Sequence, residues 1–181
     1  MKIPFSQIRR DYLALRGESP DLLPLLEEGE DSAVLTIADE LRVRILQLAM
    51  EAELALPYLD HDEIRSADAA PERVSDAEVR IRMPDDYLML YSLKMPGWLE
   101  PLTAVEPSGS LRGALGAAAP TWMTCPHRPM ALEGRDTQGV FLRVLGLGSG
   151  ITPEHLLYVA RPTFDGNYLT ISPKAYPFIL K

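Results

Sequence analysis

The chain has 181 residues, of which 46% are hydrophobic and 24% charged, proportions typical of a folded globular protein. Its 26 acidic residues outnumber its 18 Lys and Arg residues, and the net charge of -8 argues against a surface that grips a nucleic-acid backbone. The single cysteine, Cys125, excludes an internal disulfide. No apolar run reaches the roughly 18 residues of a membrane span. We therefore expect no sequence-specific nucleic-acid binding and no membrane association.

The first third of the chain shows helical periodicity. Pro4 suits the first position of a helix and Gly17 suits the position after its end, which predicts a short helix between them. A longer helix is predicted from about Ser32 to Leu56, because apolar residues repeat there at alternating spacings of four and three until Pro57.

The long predicted helix is amphipathic and carries two strips of apolar residues. One strip is expected to enter the core, and its members are Val34, Leu41, Ile45 and Leu48. The second strip, a candidate interface, lies beside it and consists of Leu35, Leu46 and Met50. A small domain readily covers one strip, whereas a second strip left open forms an apolar patch of the kind that marks an interaction site. Two interpretations of the second strip therefore stay open: packing within the domain, or contact with a neighbouring subunit.

Later in the chain the hydrophobic period changes from that of a helix to that of a strand. Leu90 and Trp98 are candidate core residues in this part. The predicted strands are short and mostly antiparallel, and they lie at about 79–83, 87–95, 130–133, 140–146, 156–160 and 168–171.

These patterns predict a chain in two parts. The polar, alanine-rich segment 68–76 is expected to be a linker between a helical part, 1–67, and a β-rich part, 77–181. The predicted fold class is α+β, with N-terminal helices, including one long amphipathic helix, followed by a small and mostly antiparallel β domain.

Three segments carry residue types that catalysis or ligand binding uses, but each departs from the pattern it would need. Gly146–Gly150 follows a predicted strand, yet the dinucleotide fingerprint requires a glycine where Ile151 stands. Cys125 and His127 lack the paired ligand spacing of a zinc site. Asp85–Asp86 follows a proline and reads as a turn. The sequence therefore predicts no enzyme activity and no catalytic, cofactor-binding or metal-binding residue.

The segment Met83–Trp98, MPDDYLMLYSLKMPGW, contains a Pro-Asp-Asp turn that leads into a strand ending in a Lys-Met-x-x-Trp pattern. With Pro101 and the later Arg128-Pro129, it resembles a segment of the head-to-tail connector proteins of crAss-like phages and related Bacteroidales prophages. The resemblance implies a ring-forming structural adaptor that contacts the portal or tail proteins and lets DNA pass through. It implies synthesis in the bacterial host cytoplasm and a final place in the virion.

A second class of function stays open beside this one. A small cytoplasmic enzyme or ligand-binding protein would use the loop at 146–150 together with Cys125 or His127. The leading expectation is the structural virion protein, a homo-oligomer that binds neighbouring subunits and the portal and needs no cofactor.

Overall fold

The computed structural model describes residues 1–17, 32–57, 61, 63–107, 109–118 and 124–180, with the side chains of 32–39 and 116–117 outside the description. The helices are α1 (Phe5–Leu15), α2 (Ser32–Leu54), α3 (Leu111–Ala118) and α4 (Tyr176–Ile179). The strands are β1 (Lys2–Pro4), β2 (Ile64–Ser66), β3 (Pro71–Ser75), β4 (Glu78–Arg82), β5 (Tyr87–Lys94), β6 (Glu106–Pro107), β7 (Met130–Asp136), β8 (Gly139–Leu145), β9 (His155–Ala160), β10 (Thr163–Phe164) and β11 (Tyr168–Thr170).

The fold is mostly β, with 37% of residues in strands of three sheets and 25% in helices, so the predicted class of N-terminal helices followed by a small β domain is wrong. Contrary to the prediction, the N-terminal region does not consist of helices alone, because strand β1 precedes α1 and pairs with β11 from the other end of the chain. Very short strands such as β1 and β10 are too brief to show a period of two. Nearly every residue of the edge strand β3 is exposed, which removes the alternation that identifies a half-buried strand.

The chain forms two compact units, and the first joins Met1–Glu63 to Arg161–Lys181. Its sheet has the order β1-β11-β10 and is antiparallel. Helices α2 and α4 contact each other. The core is built from the following residues: Ile3, Ile8, Leu41, Ile45, Ala49, Ala52, Leu56, Leu169, Ile171, Ala175 and Ile179.

The second unit is Ile64–Ala160 and contains two sheets. One sheet has the order β2-β9-β5 and the other β3-β4-β8-β7-β6, with β6 parallel to β7 and the other pairs antiparallel. Leu90 and Trp98 are buried in its core, and the Trp98 indole Nε1–H donates to the Gly146 carbonyl oxygen at 2.7 Å.

The boundaries between these units differ from the predicted ones. The predicted linker 68–76 contains β3, which pairs with β4, and so belongs to the second unit. Residues 161–181 leave the β-rich part and complete the first unit, because their apolar side chains fill its core. Polar composition was a poor guide at β3, since nearly every side chain of this edge strand is exposed to solvent.

Candidate interaction surface

Helix α2 exposes a second row of apolar side chains, which we name the α2 stripe: Val43, Leu46, Met50 and Leu54. Val43 is 82% exposed, Leu46 38% and Leu54 56%, while Met50 is half-buried. The spacings of three, four and four residues place these side chains along one face of the helix, over a length of about 16 Å at 1.5 Å per residue. The stripe is thus a continuous apolar ridge rather than scattered exposed residues.

The opposite face of α2 is the one that enters the core. Leu41, Ile45, Ala49 and Ala52 are buried there, and at 100° per residue they centre about 150° around the helix from the stripe. Packing within the first unit therefore covers one face of α2 and leaves the stripe uncovered in the described part of the chain. Two apolar faces on one helix are more than a small domain needs for its own core.

The residues proposed from the sequence fall on different parts of this helix. Of the candidate core residues, Leu41 and Ile45 are buried and Leu48 is half-buried. Of the candidate interface residues, Leu46 is exposed and Met50 half-buried. The side chains of Val34 and Leu35 lie outside those that the structure describes.

Sequence reasoning missed Val43 and Leu54, the most exposed members of the stripe. The signal was present, because both continue the spacing of Leu46 and Met50 by one helical turn in each direction. The predicted strips were drawn about one residue apart around the helix. The structure instead separates the two apolar faces widely, because Leu41, Ile45, Ala49 and Ala52 form one compact buried face.

Charged side chains border the stripe. Arg44 and Glu51 lie on one flank, where Gln47 Nε2 donates to Glu51 Oε1 at 2.9 Å, and Arg42 lies on the other flank. Arg44 makes no ion pair with any residue that the structure describes. An apolar centre with a charged rim is the usual layout of a protein–protein contact.

The second unit carries a groove of about 400 Å³, which we name the proline groove. It is lined by Leu99, Glu100, Pro101, Leu102, Pro126, His127 and Pro129. Leu99 is 72% exposed. Proline contributes no backbone N–H, so these walls present few donors that would need water or a partner.

Two pairs of backbone hydrogen bonds hold the walls of the proline groove. Leu93 and Leu102 exchange bonds of 2.8 and 2.7 Å, which fixes the loop after β5. Arg128 N–H donates to the Cys125 carbonyl oxygen at 2.8 Å, and Cys125 N–H donates back at 3.4 Å, which closes the turn that carries His127. The groove is therefore preformed by the backbone.

The glycine-rich segment 146–150 is a packed loop that is not followed by a helix, since β9 begins at His155. A Cβ on Gly148 would lie 2.3 Å from the Pro96 carbonyl oxygen, and one on Gly146 would lie 2.7 Å from that of Cys125. Gly146 also has a φ of +80°. These glycines are needed because two backbone segments approach closely, which accounts for the motif without a ligand.

The remaining candidate groups for chemistry lie apart or are engaged elsewhere. Cys125 and His127 lie on the exposed turn beside the groove. Asp86 accepts hydrogen bonds from Arg65 and from the Tyr158 hydroxyl, and burial together with Asp86 raises the pKa of Tyr158. Among the described residues, no three His, Cys, Asp or Glu side chains are grouped closely enough to hold a metal ion.

A serine–histidine contact was not foreseen from the sequence. Ser92 Oγ lies 2.8 Å from His155 Nε2, on the paired strands β5 and β9. Within the described residues, the His155 side chain makes no further hydrogen bond, so no carboxylate orients its other ring nitrogen. Hydrolytic serine–histidine sites use such a carboxylate and an oxyanion hole, and this contact stands as a cross-strand hydrogen bond.

Comparisons with protein families, curated proteins and solved structures found no match to this chain. No helix of the described residues is both long and apolar enough to span a membrane.

Proposed function

We propose that this protein is a non-catalytic structural subunit that assembles with copies of itself, as a head-to-tail connector of a phage virion. The observation that carries the proposal is the α2 stripe, which lies opposite the buried face of the same helix. Isolated exposed apolar residues are ordinary on protein surfaces, whereas a contiguous row marks a surface that binds a partner. The kind of assembly, a ring that contacts the portal, is what the sequence resemblance to head-to-tail connector proteins implies.

The partner of the stripe is the proline groove of a second copy. A ridge of aliphatic side chains can pack against the leucine and proline side chains of the groove. The groove also carries Glu100, while Arg42 and Arg44 border the stripe. Neither Glu100 nor Arg44 makes an ion pair within the described residues, so both are available across an interface. A ridge of about 16 Å would form the centre of a larger contact, since stable interfaces bury roughly 1,200–2,000 Å² in total.

A contact between two different surfaces has a consequence for symmetry. A heterologous contact leaves each bound copy with one unused ridge or groove, so association continues until a ring closes or a filament grows. A connector requires a closed ring. The net charge of -8 suits this role, because an acidic wall repels DNA and lets it slide past rather than holding it.

The first experiment compares solution masses by light scattering. The double variant Leu46→Glu, Leu54→Glu puts two charges on the ridge, and Leu99→Glu puts one in the groove. Each change should convert the oligomer to a monomer with an unchanged circular dichroism spectrum, because the altered side chains are exposed. The matched control is Gln47→Glu, which adds a charge to the same helix beside the stripe and should leave the mass nearly unchanged.

Mixing the variants tests the pairing itself. A ridge-defective copy retains its groove and a groove-defective copy retains its ridge, so an equimolar mixture should form a heterodimer that cannot grow further. A wild-type chain that is monomeric at all concentrations would refute self-assembly. A mixture that remains monomeric would refute the ridge-to-groove pairing, while self-assembly through another contact would still show in the wild-type mass.

A further inference from the structure

The loop between β8 and β9, Gly146–Gly150, which we name the glycine loop, lies against both walls of the proline groove. One wall follows β5 and carries Leu99–Leu102, and the other is the turn 125–129. The two walls are separated by more than twenty residues in the sequence. The glycine loop approaches the backbone of each wall closely, so it is the element that the two walls share.

The wall after β5 is fixed to the glycine loop by hydrogen bonds. The buried Trp98 indole Nε1–H donates to the Gly146 carbonyl oxygen at 2.7 Å. The Ser149 N–H donates to the Pro96 carbonyl oxygen at 3.3 Å. A Cβ on Gly148 would lie 2.3 Å from that same Pro96 oxygen, so glycine is needed for this approach. The first groove residue of this wall follows Trp98 directly, and the indole bond therefore fixes where the wall begins.

The turn 125–129, which forms the other wall, meets the glycine loop at Gly146. A Cβ on Gly146 would lie 2.7 Å from the Cys125 carbonyl oxygen and 3.1 Å from the Cys125 nitrogen. The same Cys125 oxygen accepts the Arg128 N–H at 2.8 Å, which is the bond that closes the turn. A side chain at Gly146 would therefore displace the backbone atoms that shape this wall.

We propose that Gly146 and Trp98 are positioning residues that set the spacing between the walls of the proline groove, and thereby its fit to the α2 stripe. Neither residue lines the groove, so each acts through the walls that it holds. Aliphatic side chains need closely matched surfaces, because a gap of about 0.5–1 Å loses a quarter to a half of each atomic contact energy. The inference rests on the proposed pairing of stripe and groove, and it gives the glycine loop a role in that pairing.

The test uses two chains that can form a single kind of contact with each other. One carries Leu99→Glu and retains only the stripe, and the other carries Leu46→Glu with Leu54→Glu and retains only the groove. Their dissociation constant is measured by analytical ultracentrifugation. Trp98→Phe, which removes the indole N–H, and Gly146→Ala are then introduced separately into the groove-bearing chain. We expect each to weaken binding at least about fivefold, as the loss of a central interface contact does.

The same two substitutions in the stripe-bearing chain are the matched control. The groove of that chain is already disabled, so the affinity should not change there. Gly139→Ala in the groove-bearing chain is a second control, because Gly139 has a φ of +112° and a Cβ there would meet nothing within 4 Å. It adds backbone strain at a position that does not line the groove, and the affinity should change less than about twofold.

Near-ultraviolet circular dichroism shows whether each variant keeps the packing of the second unit, and Trp98→Phe carries the test if Gly146→Ala does not fold. Unchanged affinity with Trp98→Phe in the groove-bearing chain would overturn the inference and leave the pairing intact. Equal weakening from either chain would also overturn it, because the effect would then come from stability and not from the groove. Parent chains that do not associate would refute the pairing itself and this inference with it.

Discussion

Replacing Glu53 with glutamine tests how the two ends of the chain are joined within the first unit. Glu53 is 1% exposed, near the end of α2. Its Oε1 accepts the Ser172 backbone N–H at 2.7 Å, and its Oε2 lies 3.2 Å from His61 Nδ1. One carboxylate thus connects α2 to residues 119 positions later in the chain.

The expected cost follows from the donor and acceptor count. A carboxylate accepts at both oxygens, whereas glutamine has one acceptor oxygen and one NH2 group. In Glu53→Gln, the oxygen can still accept from the Ser172 N–H while the NH2 group faces His61 Nδ1, which accepts only when the imidazole carries its proton on Nε2. His61 Nε2 is buried and has no hydrogen-bond partner among the described residues, so this arrangement leaves a buried N–H unsatisfied. Leaving a buried polar group unsatisfied costs about 1–3 kcal/mol. We expect the free energy of unfolding to fall by that amount.

The assay combines urea unfolding, followed by circular dichroism, with amide hydrogen exchange at Ser172. Exchange at this amide reports the local contact even where the two units unfold separately. The matched control is Glu51→Gln, two positions earlier, where the side chain is exposed and contacts Gln47. Its effect should stay within about 0.5 kcal/mol.

A double-mutant cycle with His61→Phe separates the histidine contact from the contact to Ser172. If Glu53 and His61 stabilise each other, their changes are not additive, and the coupling energy is about 0.5 kcal/mol or more. Equal stability of Glu53→Gln and Glu51→Gln, with unchanged exchange at Ser172, would refute the assigned contacts.

Two further changes test the second unit. The Arg82 hydrogen bond lowers the pKa of Asp136 from 3.8 to about 2, so this carboxylate stabilises the fold above about pH 4. That stabilisation is lost as the pH falls through 2. Asp136→Asn should thus reduce the urea midpoint at pH 6 and have little effect near pH 2, and a loss that is equal at both pH values would contradict the ion pair. Gly148→Ala should lower the free energy of unfolding in urea by about 1–3 kcal/mol, because the new Cβ would lie 2.3 Å from the Pro96 carbonyl oxygen. The control is Gly109→Ala, where a Cβ would meet nothing within 4 Å. Equal effects of the two changes would show that the loop around Gly148 shifts to accommodate the methyl group.

Sequence periodicity located many of the elements but not their organisation. Alternation marked β4, and mostly apolar runs marked β5 and β8, which all lie in sheets of the second unit. The region between residues 105 and 120 lies outside the helices and strands predicted from the sequence, yet it contains β6 and α3. Its glycines disfavour a helix and its alanines favour one, so the two preferences oppose each other and tertiary packing decides there.

The largest error concerned which segments share a core. A linear division assumed that neighbouring elements pack together, whereas β1 pairs with β11 and residues 161–181 return to the first unit. Long-range pairing of this kind leaves no local pattern in a single sequence. The α2 stripe was foreseen only in part for a related reason. The extent of its exposed face depends on what α4 and β11 cover, and those elements lie more than a hundred residues away.

This discontinuity bears on when the proposed interface can form. The buried face of α2 packs with Ile171, Ala175 and Ile179, and its last turn is tied to Ser172 through Glu53. Until residues 161–181 are in place, the core-facing side of α2 lacks the cover of Leu169, Ile171, Ala175 and Ile179, and both of its apolar faces are available for wrong contacts. Once residues 161–181 dock, the core-facing side of α2 is buried, and of its two apolar faces only the stripe remains to bind a partner. Self-assembly through the stripe therefore follows completion of the first unit, because its orientation toward solvent is set by the packing of the opposite face.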